Sequence, residues 1–206
     1  QTDNAVVNRS LLFLTTLTLA AQTNWPTWSG GNDGNRYSPL KQITKANAKS
    51  LKLAWEFHSG DADARGRTMI QCTPTVIDGV LYGTTPTLMA VALDAATGKE
   101  LWRFDPVDVR TRGVNRGVMY WASGADKRVL FSAGNYLYAL DARTGKPIAG
   151  FGTAGRIDMS KELDRDPPGA FNGATTPGIV YKDLIIMGSS VGEGPRPAAP
   201  GHIRAY

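Results

Sequence analysis

Short hydrophobic runs separated by turn residues recur along most of this chain. Residues 75–83 (TVIDGVLYG) predict two strands joined at Asp78 and Gly79, because Asp-Gly is a favoured two-residue hairpin turn. Similar runs occupy residues 127–134 and 176–188. With 23 glycines and 12 prolines among 206 residues, the composition favours many short strands over long helices. The pattern therefore predicts an all-β fold.

A repeated motif follows the first two runs. Residues 92–102 read ALDAATGKELW and residues 139–151 read ALDARTGKPIAGF, so Gly98 and Gly145 lie 47 positions apart (145 − 98). A third copy would begin at Ala205, after the third run. Repeats of about 40 to 50 residues are typical of propeller blades or solenoid units.

The residue types of the motif suggest a structural role. Its aspartate can accept backbone hydrogen bonds in an Asx-turn, its threonine can make similar local bonds, and its glycine can adopt a positive φ. The small Ala92 and Ala139 would let an aromatic ring approach, and Trp102 and Phe151, near the end of each copy, would supply that ring. We therefore expect the motif to staple neighbouring units together and to take no part in catalysis.

The pattern Ala-x-Asp-x-x-Thr-Gly-x-x-x-Trp resembles the tryptophan-docking motif of the quinoprotein dehydrogenases, which depend on pyrroloquinoline quinone (PQQ). Residues 25–31 (WPTWSGG) and 35–40 (NRYSPL) are also similar to that family's N-terminus. The resemblance covers residues 24–206 and implies an eight-bladed β-propeller. At the observed repeat length, this chain would supply about three to four blades.

An apolar stretch precedes the region of resemblance. Residues 11–21 (LLFLTTLTLAA) follow Arg9 and end in small residues. Their length fits the apolar region of a signal peptide and is well short of the ~20 residues that span a bilayer as a helix. We expect residues 1–23 to be a signal peptide and residues 24–206 to belong to a periplasmic or secreted propeller. A membrane anchor or a buried strand is the alternative, and the first of these leaves membrane association open.

Charge and cysteine content narrow the possibilities further. The net charge of +5 arises from 23 basic and 18 acidic residues, and the densest basic cluster, residues 103–116, is interleaved with Asp105 and Asp108. Nucleic-acid binders usually concentrate positive charge on one face and carry a recognisable motif, so we expect no nucleic-acid partner. The single cysteine, Cys72, cannot form an internal disulfide.

The resemblance places several polar residues at the cofactor. Residues 115–118 (NRGV) are similar to a family segment whose arginine lies at the quinone. Arg116 carries a permanent charge and a planar fork of donors suited to a carboxylate or a quinone oxygen. Thr175 and Ser190 match polar positions that hold the carboxylates of the cofactor. Gln71 occupies the position at which many relatives of the alcohol branch carry a glutamate near the cofactor, and a strand glutamine with its hydrogen bonds satisfied is an equal alternative.

A second segment, residues 188–193 (GSSVGE), resembles one in which small residues cover the quinone and a glutamate binds the metal. The match implies that Val191 and Gly192 lie against the ring plane. It also implies that Glu193 binds Ca²⁺, a hard cation that prefers oxygen ligands. For each of these residues, an ordinary loop or strand-end role is the structural alternative.

One departure from the family bears on the substrate. Alcohol-oxidising relatives carry adjacent cysteines six and five residues before the arginine, whereas this chain has Arg110 and Thr111 there. Together with residues 200–206 (PGHIRAY), this favours the glucose-dehydrogenase-like branch. The resemblance then implies an enzyme that oxidises an aldose or alcohol hydroxyl by hydride transfer to PQQ with Ca²⁺ assistance. Electrons would pass to a respiratory quinone or cytochrome c.

The catalytic aspartate of the family has no match in this sequence. We expect it beyond residue 206, so no catalytic residue is assigned and the 206-residue piece is expected to be inactive alone. A non-catalytic propeller scaffold of the cell envelope is the alternative, since a propeller does not imply an enzyme.

Overall fold

The computed structural model describes residues 24–31, 33–106, 113–165, 171–195 and 197–206. Within these ranges the chain forms β-strands and one 3₁₀ helix, Ala48–Ser50. The prediction of an all-β fold is confirmed. No helix in the described part of the chain is long and apolar enough to cross a membrane. The apolar stretch at residues 11–21 lies outside the described residues.

The first two repeat units each form a four-stranded antiparallel sheet in which every strand pairs with the next along the chain. The first sheet comprises β1 (Thr75–Ile77), β2 (Val80–Thr84), β3 (Ala90–Asp94) and β4 (Glu100–Phe104). The second comprises β5 (Met119–Ser123), β6 (Asp126–Ala133), β7 (Tyr136–Asp141) and β8 (Arg156–Asp158).

The third unit is a three-stranded antiparallel sheet with a short strand pair beside it. β10 (Ile179–Tyr181), β11 (Leu184–Gly188) and β13 (Ile203–Ala205) form the sheet. β9 (Asn172–Gly173) pairs with β12 (Ser190–Val191), which places Ser190 opposite Gly173.

The predicted hairpin at Asp78 and Gly79 is present. Thr75 pairs with Tyr82 across β1 and β2, and both turn residues have positive φ, 49° for Asp78 and 79° for Gly79. Two successive positive φ angles define a type I′ turn, whose twist matches that of the flanking strands. The Asp-Gly dipeptide therefore sets the register of the first hairpin.

The second sheet packs against a neighbouring sheet on each of its faces. Val129 and Phe131 of β6 join a buried cluster with Ile77 and Tyr82 of the first sheet. Leu130, between them, joins a different cluster that contains Ile185 and Met187 of the third sheet. Successive strand residues point to opposite faces, so a continuous apolar run buries both. Successive stacked sheets of this kind are the arrangement of propeller blades.

The repeated motif forms the expected turn. In the first copy, Asp94 Oδ1 accepts hydrogen bonds from the Thr97 N–H at 2.8 Å and the Thr97 hydroxyl at 2.7 Å, and Gly98 has φ of 72°. Asp141 and its glycine repeat this geometry in the second copy. The motif is a local turn whose shape is fixed by its own side chains.

Tryptophans hold neighbouring units together at the glycine of the motif turn. The Trp102 ring of the first sheet lies against Gly145 in the turn of the second, and its Nε1–H donates to the Ala142 carbonyl at 2.9 Å. The alanines are close to rings as well: Ala92 belongs to the same buried cluster as Trp102, and Phe151 packs against the cluster that contains Ala139. The sequence analysis did not assign a ring contact to the turn glycine, where a Cβ on Gly145 would lie 2.6 Å from Trp102 Cε3.

One further ring lies outside the motif. Trp55, which the motif analysis did not identify, lies against Gly98 and donates to the Ala95 carbonyl at 3.1 Å. Phe151 packs against the buried cluster that contains Ala139 and joins the second and third sheets. That interface has a different tryptophan contact, from Trp121 Nε1–H to the Lys182 carbonyl at 2.9 Å.

Candidate functional site

The candidate site lies where the segments that precede the first strands of the three sheets meet. Thr73 precedes β1, and its N–H donates to the carbonyl of Arg116, which precedes β5, at 3.1 Å. The Arg116 N–H in turn donates to the carbonyl of Thr175, which precedes β10, at 2.7 Å. Three segments that lie far apart in sequence therefore run side by side.

Arg116 and Thr175, both expected to contact the cofactor, also contact each other through their side chains. Arg116 Nη1 donates to the Thr175 hydroxyl oxygen at 2.6 Å. The arginine is exposed, and Thr175 is partly buried. A guanidinium has five N–H donors and this bond uses one of them, so the pair presents a positive, donor-rich surface. Such a surface suits an anionic oxygen-bearing ligand.

Ser190 and Val191 lie on the strand next to the Thr175 segment. Ser190 pairs with Gly173, two residues before Thr175, and Val191 pairs with Asn172. Both side chains are partly exposed. The short β9–β12 pair thus brings the predicted Ser190 position to the same region as Thr175, although they are 15 residues apart in sequence (190 − 175).

Gly192 and Glu193 follow directly in an exposed loop. A Cβ built on Gly192 would meet no heavy atom within 4 Å, so space is open beside its backbone. Glu193 is exposed. The described residues contain no group of three or more His, Cys, Asp or Glu side chains able to hold a metal ion. Since Ca²⁺ takes six to eight oxygen ligands, Glu193 would supply only part of a coordination shell.

Gln71 lies at the same end of the first sheet, two residues before Thr73. Its Nε2 contacts the Met69 sulfur at 2.9 Å, and its side chain is exposed. The neighbouring Cys72 sulfur accepts a hydrogen bond from the Thr84 N–H at 3.4 Å, and burial raises the pKa of this thiol. Among the described residues, no hydrogen bond joins the Gln71 side chain to Arg116 or Thr175, although the backbone two residues later, at Thr73, bonds to Arg116. Arg110 and Thr111 lie outside the described residues.

Two buried polar residues behind the site escaped the sequence analysis as candidates. Asn115 is 3% exposed, and its Nδ2 donates to the Ser132 carbonyl at 3.0 Å. Ser132 is 2% exposed, and its hydroxyl donates to the Ala174 carbonyl at 2.6 Å. The sequence did contain one signal for this pair: Ser132 lies inside the apolar run of β6. A serine at such a position is expected to be buried, and a buried hydroxyl needs a hydrogen-bond partner.

Comparison with known proteins identifies the family. Residues 25–206 match the PQQ family model described as "Glucose/ethanol/alcohol dehydrogenase, beta-propeller domain". The chain belongs to this family. PQQ and Ca²⁺ are the cofactors characteristic of the PQQ dehydrogenase family. The predictions of a quinoprotein relationship and of a propeller fold are therefore confirmed.

Individual relatives include both alcohol and glucose dehydrogenases. The chain is 36% identical to the 1-butanol dehydrogenase (cytochrome c) of Thauera butanivorans, an alignment that covers 99% of this chain and 27% of the relative. It is 34% identical to quinoprotein glucose dehydrogenase A of Acinetobacter calcoaceticus, over 90% of this chain and 26% of that protein. The chain thus spans about a quarter of the length of these relatives.

A solved structure has the same fold. The quinohemoprotein alcohol dehydrogenase of Comamonas testosteroni superposes with a TM-score of 0.67 at 29% identity, over 83% of this chain and 24% of that one. These three proteins are named for different substrates. The glucose-dehydrogenase-like branch therefore stays a prediction that depends on Arg110, Thr111 and residues 200–206.

Proposed function

We propose that this chain forms part of a dehydrogenase that oxidises a hydroxyl group of an aldose or an alcohol, with PQQ and Ca²⁺ bound at the candidate site. The contact between Arg116 and the Thr175 hydroxyl at 2.6 Å carries the proposal. It joins two units of the propeller at the place where three units meet, and it presents donors to a single ligand. A scaffold has no evident need for this exposed arrangement.

The residues at the site fit the chemistry of PQQ. The cofactor is a flat ring system with carboxylates and quinone oxygens, so it requires cations and hydroxyl donors at its edge. Arg116 supplies the charge, and Thr175 and Ser190 supply hydroxyls. A flat ring also needs small residues beside its face, and the open space at Gly192 meets that need, with Val191 as the adjacent apolar contact.

Glu193 is the residue of this chain that would hold Ca²⁺. When both are bound, PQQ accepts the hydride and the cation polarises a quinone carbonyl. The exposed carboxylate of Glu193 offers one or two of the oxygens that the ion requires. The remaining ligands and the catalytic aspartate are assigned to residues outside this chain, so residues 24–206 alone should bind PQQ weakly and show no turnover.

Substrate, electron acceptor and location belong to the same proposal. Arg110 and Thr111 replace the adjacent cysteines of alcohol-oxidising relatives, which supports an aldose as the preferred substrate. A respiratory quinone or cytochrome c would take the electrons. The apolar stretch at residues 11–21 supports export to the periplasm.

The test is reconstitution of the full-length protein with PQQ and Ca²⁺, assayed by dye reduction with glucose and with ethanol. We expect activity that requires both cofactors and is higher with glucose. Arg116→Ala should weaken PQQ binding, whereas Arg128→Ala should not, because Arg128 is paired with Asp126 on the second sheet. Absence of activity with every sugar and alcohol would favour the scaffold, and a preference for ethanol would overturn the branch assignment.

A further inference from the structure

The backbone of Arg116 is held by the buried side chain that precedes it. Asn115 Oδ1 accepts a hydrogen bond from the Gly117 N–H at 2.9 Å, so an Asx-turn encloses Arg116. The same oxygen accepts a bond from the Thr84 hydroxyl of the first sheet at 3.3 Å. With Nδ2 donating to the Ser132 carbonyl, the amide uses both its donor and its acceptor in the interior.

The hydrogen-bonded chain continues to the other half of the site. The Ser132 hydroxyl donates to the carbonyl of Ala174, the residue before Thr175, at 2.6 Å. One buried series of bonds therefore runs from Thr84 in the first sheet, through Asn115 and Ser132, to the third unit. The series ends beside Arg116 and Thr175, whose side chains are hydrogen-bonded to each other.

The two hydroxyls of this series occupy equivalent places in the repeat. Each lies two residues after the residue that pairs with the motif alanine, Ala92 for Thr84 and Ala139 for Ser132. Each hydroxyl then bonds to the segment that precedes the next sheet. Since the contact recurs at the same repeat position, it belongs to the way successive units are aligned.

We infer that Asn115 is a positioning residue for PQQ, which acts by fixing Arg116 and, through Ser132, the Thr175 segment. The inference rests on the proposed function. Asn115 is too deeply buried to form part of the exposed donor surface, so it acts through its neighbours. Its loss would leave the Gly117 N–H and the Ser132 carbonyl unpaired in the interior, a state that the segment can relieve only by moving. PQQ should bind a less ordered Arg116 more weakly, because part of the binding free energy is then spent on ordering the arginine side chain.

The experiment measures PQQ affinity of the full-length protein by calorimetric titration in the presence of Ca²⁺. We expect Asn115→Ala to raise the Kd for PQQ about tenfold. The control is Trp102→Phe, which removes a buried bond between the same two sheets at a distance from the site. It should lower Tm and leave the Kd unchanged. An equal rise in Kd in this control would overturn the inference, because general loosening would then explain both results.

A double-mutant cycle with Arg116→Ala separates positioning from other effects. If Asn115 acts mainly through Arg116, adding Asn115→Ala to Arg116→Ala should change the Kd by no more than the roughly threefold expected for the path through Thr175, instead of about tenfold. Full additivity of the two effects would contradict the inference while leaving the proposed function intact. If Arg116→Ala alone does not weaken PQQ binding, the proposed function fails and the inference fails with it.

A milder variant covers the case in which Asn115→Ala does not fold. Ser132→Ala removes the hydroxyl bond to the Ala174 carbonyl and the 3.4 Å bond that the same hydroxyl accepts from Asn115 Nδ2, and it keeps the carbonyl to which Asn115 donates at 3.0 Å. We expect it to raise the Kd for PQQ about threefold. An unchanged Kd in a folded Ser132→Ala protein would overturn the proposed link to Thr175.

Discussion

Replacing Gly145 with alanine should weaken the contact between the first two sheets. Gly145 has φ of 70°, and a Cβ built there would lie 2.6 Å from Cε3 and 2.7 Å from Cδ2 of Trp102. Contacts of this kind ordinarily begin at 3.4 Å, so the ring must retreat by about 0.8 Å (3.4 − 2.6). The retreat would also lengthen the 2.9 Å bond from the ring N–H to the Ala142 carbonyl.

The cost of Gly145→Ala has three parts. A non-glycine residue in the left-handed region costs about 1 kcal/mol. Displacing a packed ring costs about 1–3 kcal/mol, and weakening the buried hydrogen bond costs about 1 kcal/mol. The sum, about 3–5 kcal/mol if the three parts add, is large beside the 5–15 kcal/mol by which native domains are typically stable.

A second glycine isolates the ring contact from backbone strain. Gly124, in the turn between β5 and β6, has φ of 58°, and a Cβ built there would meet nothing within 4 Å. Gly124→Ala should therefore cost about 1 kcal/mol. Thermal and urea unfolding of the full-length protein would compare the two variants. Equal losses of stability would refute the stacking of Trp102 on Gly145 as an interface contact.

Two further predictions concern pH. Hydrogen bonds from the Thr144 hydroxyl and N–H hold the pKa of Asp141 below its ordinary value. The stability that this aspartate contributes is therefore present above its unfolded pKa of about 4 and lost as pH falls through the lower folded value. Asp141→Asn should flatten the decline of Tm in acid, and an unchanged decline would contradict the assignment. Burial raises the pKa of Tyr82 to about 12. Tyr82 therefore contributes stability that is fully present below its unfolded pKa of about 10. This contribution is lost as pH rises through the higher pKa of the folded state. Tyr82→Phe should reduce the fall in stability over that range in alkaline unfolding, and a fall as steep as that of the unsubstituted protein would disprove the role of Tyr82.

Local features of the fold were predictable because they depend on adjacent residues. The Asp78-Gly79 turn and the motif turns follow from side chains that bond to their own backbone. The ring partners of those turns were not predictable from the motif, because they come from the neighbouring sheet. Trp55 precedes the first copy of the motif, and its spacing of 47 residues from Trp102 (102 − 55) was the available signal.

The site was predictable to the extent that family resemblance marks individual residues. Arg116 and Thr175 were expected to lie at one ligand, and the structure places their side chains in contact. Asn115 and Ser132 could not be assigned in the same way. Their role depends on bonds that join three sheets, and only the relative position of those sheets reveals them.

The two kinds of contact between sheets should have separable consequences. Tryptophans such as Trp102 hold the turns of the motif, and the turn that Trp102 contacts begins at Asp141, which pairs with Arg128, four residues along β6 from Ser132 (132 − 128). The buried polar series through Asn115 ends at two backbone groups, the N–H of Gly117, which follows Arg116, and the carbonyl of Ala174, which precedes Thr175. Both contribute to the packing of the sheets, but only the second determines where the exposed donors stand. Loss of a tryptophan contact such as that of Trp102 should therefore lower stability with little effect on PQQ affinity, whereas loss of the polar series should lower both stability and PQQ affinity.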